Sequence, residues 1–347
     1  MINAMHTTVG SRKQKGLTLV EIMVAIVISL ILTAGIIQLF LGTTQTYRFQ
    51  EALSRIQENG RYAMEVLARD IRMAGYWGCA SADLTGVNSI LNGANNYAWN
   101  FSIPVEGFEA DGTGWTPTID PSIVNPLQGS DILTLRSLDN AGATIAFQPA
   151  LPAATIHVVP GHQLAIGQVV IATDCVNATA FQITNINNVS GGHNVVHSSA
   201  AFTPGNATNS LGYQFTSGEI LTVSTKTYYV REGSNGVPAL WRSVAAQPAQ
   251  ELVEGVERMR ITYGIDNNNN NRVDEYVGVA DIPNLATGGP DWGRVVSVRV
   301  ELLLVSMTDN ITGGVQPIEF AGETITPTDN RLRQVFTTTV GVRNRLP

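Results

Sequence analysis

The chain has 347 residues, enough to bury a real core in one large domain or two small ones. Charged residues make up only 14%, the net charge is −7, and the only lysines are Lys13, Lys15 and Lys226. No basic stripe follows the first helix, which disfavours bulk nucleic-acid binding.

Residues 1–16 are short and polar, with Arg12, Lys13 and Lys15 just before an apolar run. The run covers residues 17–41. At 1.5 Å per residue it spans roughly 37 Å, more than a hydrocarbon core of about 30 Å. Basic residues before it place the N-terminus in the cytoplasm and everything after it across the membrane. The run is too long for an ordinary secretory signal, and no A-x-A-like site follows it. Glu21 is its one charge. A carboxylate in such a run is costly and usually functional.

Residues 42–75 continue the helix in amphipathic form. Phe49, Leu53, Ile56, Gly60, Met64, Leu67, Ile71 and Ala74 recur at spacings of three and four, one apolar stripe. No proline interrupts Leu17 to Ala74, so a single long helix is expected, ending near Gly75. Gly35 and Gly42 are its soft points.

Residues 76–347 read as β-rich. "RVVSVRVELLL" alternates, with Val296, Val298, Val300, Leu302 and Leu304 on one face. "EILTVSTKTYYVRE", "RLRQVFTTTVGVRN", "DILTLRS", "QVVIAT" and "AFQIT" are further strand candidates, separated by Gly- and Asn-rich turns. "ELVEGVERM" is expected to form a short helix before "RITYGID". From Met73 to Thr225 the only Lys or Arg is Arg136. The expected fold class is α+β: one long N-terminal helix packed on antiparallel sheet, with loop-rich insertions.

Motifs of catalysis are missing. There is no G-x-S-x-G, P-loop, H-E-x-x-H or CxxC pair, and the chain reads as no enzyme. His193 and His197 share a strand face but read as exposed hairpin residues rather than metal ligands. One stretch, "DNNNNNRVDE", invites a cation. Asp266, Asn268 and Asn270 hold positions 1, 3 and 5 of an EF-hand-like count, Arg272 offers its carbonyl at 7, and Asp274 falls at 9. Asn271 replaces the glycine at 6, and Val277 replaces the bidentate Glu at 12. Weak calcium binding and a solvated hairpin turn are both open readings. Cys79 and Cys175 are compatible with one disulfide. The topology puts both in an oxidising compartment, where a bridge is expected.

The stretch "KGLTLVEIMVAIVISLIL" resembles the type IV prepilin (class III) signal. That resemblance implies cleavage between Gly16 and Leu17 by a prepilin peptidase and N-methylation of Leu17, where Phe is usual. It also implies that Glu21 neutralises a neighbouring subunit's terminal amine and sets the axial offset during assembly. "RDIRMAGYWGC", "LVEGVERMRITYGID", "WGRVVSVRVELLL" and "RQVFTTTVGVRNR" look like the PilW family of minor pilins. Residues 80–250 match that family only in scattered fashion. The GspJ pseudopilins of type II secretion share the signal and general plan.

The resemblance implies a minor pilin that helps prime pilus assembly and sits at or near the pilus tip. Its partners would be other minor pilins, tip proteins, the prepilin peptidase and the inner membrane. It would have a periplasmic domain before assembly and a surface location after it. A GspJ-like pseudopilin is the alternative, and a membrane-tethered periplasmic metal-dependent enzyme is a remote one. A role in adhesion is compatible, but the sequence names no ligand.

Overall fold

The computed structural model describes residues 16–78, 87–199, 202–245, 247–286 and 288–343. The chain divides into two compact units, Met1–Glu51 and Ala52–Pro347. Helix α1 (Leu19–Met73) begins in the first and ends in the second.

In the first unit α1 runs unbroken through Gly35, Gln38 and Gly42. Its apolar stretch is long and hydrophobic enough to cross a membrane, and none of it is buried within the chain. Four threonine hydroxyls on and just beyond this stretch fold back on the helix. Thr33, Thr43, Thr44 and Thr46 each donate to the carbonyl four residues earlier, at 2.7 to 2.9 Å. Such back-bonding satisfies a polar group that a hydrocarbon surrounding would leave unpaired.

In the second unit the helix buries Ala52, Ile56, Gly60, Ala63, Leu67 and Ile71. The expected stripe is thus right in period but shifted in membership. Leu53 and Met64 lie half-buried at its border, and Phe49 belongs to the first unit and is 38% exposed. Close approach selects small residues: a Cβ on Gly60 would sit 2.4 Å from Cζ of Phe336. Gly75 follows the helix at φ +72°, a conformation glycine adopts without strain, and its N–H donates to the Arg136 carbonyl at 2.9 Å.

A twelve-stranded sheet takes β1 (Asn88–Ser89), β2 (Val105–Ala110), β3 (Trp115–Thr116), β4 (Ile132–Phe147), β5 (Thr155–Val158), β6 (Val169–Thr173), β7 (Ala178–Gln182), β8 (Asn185–Val189), β9 (Gly192–Val196), β10 (Gly218–Glu232), β11 (Pro238–Val244) and β12 (Gln250–Glu254). Its main path is β1-β7-β6-β10-β4-β5-β9-β8, antiparallel except for β1 with β7. β11 and β12 extend β10, and β2 and β3 extend β4. A second sheet joins β13 (Val256–Ile265), β14 (Glu275–Val277), β15 (Val295–Val305) and the C-terminal strand β18 (Arg333–Gly341) in the order β14-β13-β15-β18, all antiparallel. A hairpin, β16 (Ile318–Phe320) with β17 (Glu323–Ile325), precedes that last strand.

The main core joins the buried helix stripe to the second sheet (Met259, Ile261, Val298, Val300, Leu302) and to β4 and β10 (Leu133, Leu135, Tyr228, Val230). A separate core lies inside the large sheet around Ile156, Val170, Phe181, Val195 and Ile220. The architecture is α+β, one long helix with mostly antiparallel sheet.

"ELVEGVERM" is not helical. It forms the end of β12, a turn at Gly255, and the start of β13. Leu252, Val253, Val256 and Met259 mimic helical spacing, but pairing with β11 and β15 overrides it. Gly255 sits at φ +78°, and a Cβ there would meet the Val305 carbonyl oxygen at 2.7 Å. That geometry lets the chain leave one sheet and enter the other.

Candidate functional site

The N-terminal site lies at the start of the apolar helix. Gly16 has nothing within 4 Å of the position a Cβ would take, and Leu17 is 75% exposed. Glu21 accepts from the Thr18 N–H and from the Thr18 hydroxyl, both at 2.9 Å, while the Thr18 Oγ accepts from the Glu21 N–H at 3.3 Å. Thr-x-x-Glu in this geometry is a capping box, which satisfies N–H groups left open at a helix start. "TLVE" spells this box in the sequence, a signal separate from the charge that Glu21 brings to an apolar run.

Behind the globular surface are three buried polar ties that sequence reasoning missed. Asp70, on the buried face of α1, accepts a short hydrogen bond from the Tyr228 hydroxyl and lies 3.4 Å from Lys226 Nζ. Arg136 is fully buried, donating to the carbonyls of Ile103 and Tyr97 at 2.7 Å and to Glu106 at 2.6 Å. Its isolation in a long stretch poor in basic residues was the available signal. Asp131 accepts from the N–H groups of Ala110 and Ile261 and pairs with Arg260 at 3.0 Å. Burial pushes its carboxyl up to about 6 despite those partners.

The Asn-rich segment is the loop between β13 and β14. Asp266 accepts from the N–H groups of Asn268, Asn270 and Asn271 at 3.0, 3.2 and 2.6 Å. Burial pushes its carboxyl up, but these backbone donors outweigh it and hold the pKa below the usual carboxylate range. Asn271, at count 6, takes φ +60°, the left-handed conformation that position needs. Asp274 accepts from the Asn267 N–H at 2.7 Å and from Asn268 Nδ2 at 3.0 and 3.1 Å. The Arg272 N–H donates to Asn270 Oδ1 at 2.9 Å. The loop thus brings Asp266, Asn268, Asn270 and Asp274 into one hydrogen-bonded turn. Among the described residues no three His, Cys, Asp or Glu side chains gather as a metal cluster.

The expected hairpin is present, with His193 on β9 paired to β8, but neither histidine is exposed. His197 is fully buried against the ring of Phe181, at 5.2 Å, and His193 instead meets His162 edge-on at 4.7 Å. Cys175 sits in the tight turn between β6 and β7 at φ +73°. Cys79, its expected partner, lies outside the described residues.

Residues 11–37 match the prokaryotic N-terminal methylation motif, and residues 227–344 match the family described as type IV pilus-assembly protein W. A pilin-like protein of Thermus thermophilus, PilA3, is 36% identical over 66 residues, which is 18% of this chain and 28% of that protein. The match therefore spans well under a third of that relative's length. No solved structure matches significantly. The long apolar helix opening on the methylation motif, with sheet beyond it, makes the chain similar to type IV pilin-like proteins. Its similarity is to type IV pilus minor pilins of the PilW family, whose matched region here takes in the end of β10 and the whole second sheet. That assignment points to a structural rather than an enzymatic protein, and the motif with its apolar helix points to a membrane-anchored one.

Proposed function

We propose that the chain is a minor pilin that helps prime type IV pilus assembly and takes a place at or near the pilus tip. The observation that carries this is the first unit. It presents a membrane-length helix with no large apolar side chain buried, headed by Gly16, Leu17 and Glu21. Such a surface needs lipid before assembly and neighbouring helices after it. The prepilin peptidase cuts between Gly16 and Leu17, and Leu17 is then N-methylated. Glu21 offers its carboxylate to the terminal amine of an adjacent subunit, which offsets the cost of a charge at that depth. The globular unit is periplasmic before assembly and surface-exposed after it, in contact with other minor pilins.

Mass spectrometry of the mature protein tests processing: methylated Leu17 is expected at the N-terminus. An intact leader in peptidase-positive cells would refute the pilin reading. Deleting the gene and counting surface pili tests the priming role. Pilus numbers should fall sharply, and unchanged numbers with normal tip composition would sink it.

A further inference from the structure

The second unit holds a cleft of about 420 Å³ between β4, β10, the turn at residues 163–168 and the end of β11. Its chemistry is uneven in an informative way. The described lining mixes polar groups, among them the side-chain amides of Gln163, Gln168 and Gln247, the hydroxyl of Ser224 and one carboxylate, Asp139, with apolar side chains that include Trp99, Phe101, Leu164 and Val223. It contains no Lys, Arg or His, so nothing there would compensate a phosphate, sulfate or carboxylate ligand. An apolar ligand would strip water from these amides and hydroxyls without replacing it, which is unfavourable.

The walls are prebuilt. Buried Gln182 ties the rim, its Nε2 donating to the carbonyls of Gly167 and Thr203 at 2.8 and 3.0 Å and its Oε1 accepting from the Gly205 N–H at 2.7 Å. The Thr225 hydroxyl donates to the Ala98 carbonyl at 2.8 Å, which pins the segment carrying Trp99 onto β10. Ser224 is buried in the same wall, and its hydroxyl has no partner among the described residues.

We propose that this cleft binds a neutral glycan. A sugar offers what these walls ask for. Its vicinal hydroxyls donate and accept at once, matching carboxamides, a hydroxyl and one carboxylate, which together supply both functions. Its C–H face lies against an aromatic ring, and Trp99 supplies the apolar plane. Lack of positive charge selects against sialylated and sulfated chains. The site lies within the second unit and needs no pilus to act.

The test uses the full-length chain in a detergent that carries no sugar headgroup. It is applied to immobilised neutral oligosaccharides of hexose and N-acetylhexosamine units, with sialylated and sulfated chains alongside. At least one neutral oligosaccharide should bind and the charged chains should not. Asp139→Ala, at an exposed position, should weaken binding about tenfold with an unchanged unfolding midpoint; Gln168→Ala should weaken it similarly but lower the midpoint slightly, because Gln168 Oε1 accepts from the Ala165 N–H at 2.9 Å. Trp99→Ala should abolish binding, and Trp99→Phe should retain part of it if packing alone were not the cause. Asn268→Ala, outside the cleft, should bind as the parent does. The proposal is overturned if no neutral oligosaccharide binds, if the charged chains bind equally well, or if the Asp139 and Gln168 variants bind as the parent does.

Discussion

Glu21 and Thr18 close on each other: the Glu21 carboxylate takes both the N–H and the hydroxyl of Thr18 at 2.9 Å. The one charge in the apolar run therefore has a partner within its own chain. Capping accounts for why the residue is tolerated at the helix start. It does not account for a role between subunits, and the two roles separate by mutation.

Thr18→Ala removes the hydroxyl half of the box but keeps the carboxylate. It should cost the helix start about 1 kcal/mol and leave incorporation into pili nearly unchanged. Glu21→Ala should still insert and be processed, because the run only becomes more apolar, yet incorporation should fall. Quantitative immunoblots of sheared pili measure both. Equal losses in the two variants would reduce Glu21 to a cap.

Gly60 is where α1 meets β18. Alanine there gains about 1 kcal/mol in helix propensity, but its Cβ would land 2.4 Å from the Phe336 ring. Overpacking of that kind costs about 1–3 kcal/mol, so Gly60→Ala should lower stability. Phe336→Leu should itself destabilise, and the double variant should be more stable than the sum of the two predicts. Denaturant unfolding of the four proteins gives the coupling, and strict additivity would show that the contact is not tight.

Two buried groups give opposite acid responses. Burial pulls the His197 pKa down to about 4 from 6.5, so the unfolded state takes up a proton first. The stability this group confers is complete above about pH 6.5 and declines as pH falls toward 4. Burial pushes Asp131 up to about 6 from 3.8, so between those values the folded state holds the extra proton. Its contribution declines as pH rises through that window. His197→Phe should flatten the acid-side loss without destabilising at pH 7, since neither imidazole nitrogen has a partner among the described residues. Asp131→Asn should cost about 3 kcal/mol and leave a steeper loss toward acid. Unfolding midpoints from pH 4 to 7 check this, and an unchanged slope in His197→Phe would contradict it.

The expected bridge between Cys79 and Cys175 would close a long loop, worth up to about 4–5 kcal/mol in the chain-entropy model. Non-reducing mass mapping of protein isolated from cells with its thiols blocked should find the linked peptides. Two alkylatable thiols would refute the bridge.

Weak calcium binding and a plain hairpin turn at Asp266, Asn268, Asn270, Arg272 and Asp274 separate by titration: if the loop takes calcium, millimolar concentrations should raise the unfolding midpoint of the full chain, as any ligand of the folded state does. Magnesium should do less, because it demands tighter octahedral geometry. Asp266→Ala would also lose the three backbone hydrogen bonds to that side chain, so it should lower the midpoint even in chelator and abolish the calcium increment. Identical midpoints in chelator and in ten-millimolar calcium would leave a plain hairpin turn.

Much of this protein is local and could be read from the chain. The apolar run, the basic flank ending at Gly16, Glu21 and the helix period from Gln45 onward depend on neighbours a few residues away. So do the alternation of β15 and the hairpin turn at Asp266. Tertiary structure decided the rest. Ala52 and Ala63 face the core beside the predicted stripe, and at Gly60 the sheet comes so close that a Cβ would meet Phe336, a contact no period encodes. "ELVEGVERM" becomes two strands because its partners, β11 and β15, lie outside its own window. Asp70, Arg136 and His197 look like surface residues by type. They are buried because long-range contacts surround them with Tyr228 and Lys226, with Glu106 and two carbonyls, and with Phe181. The cleft beside Trp99 likewise exists only because β4, β10 and two distant turns converge, which separation along the chain conceals.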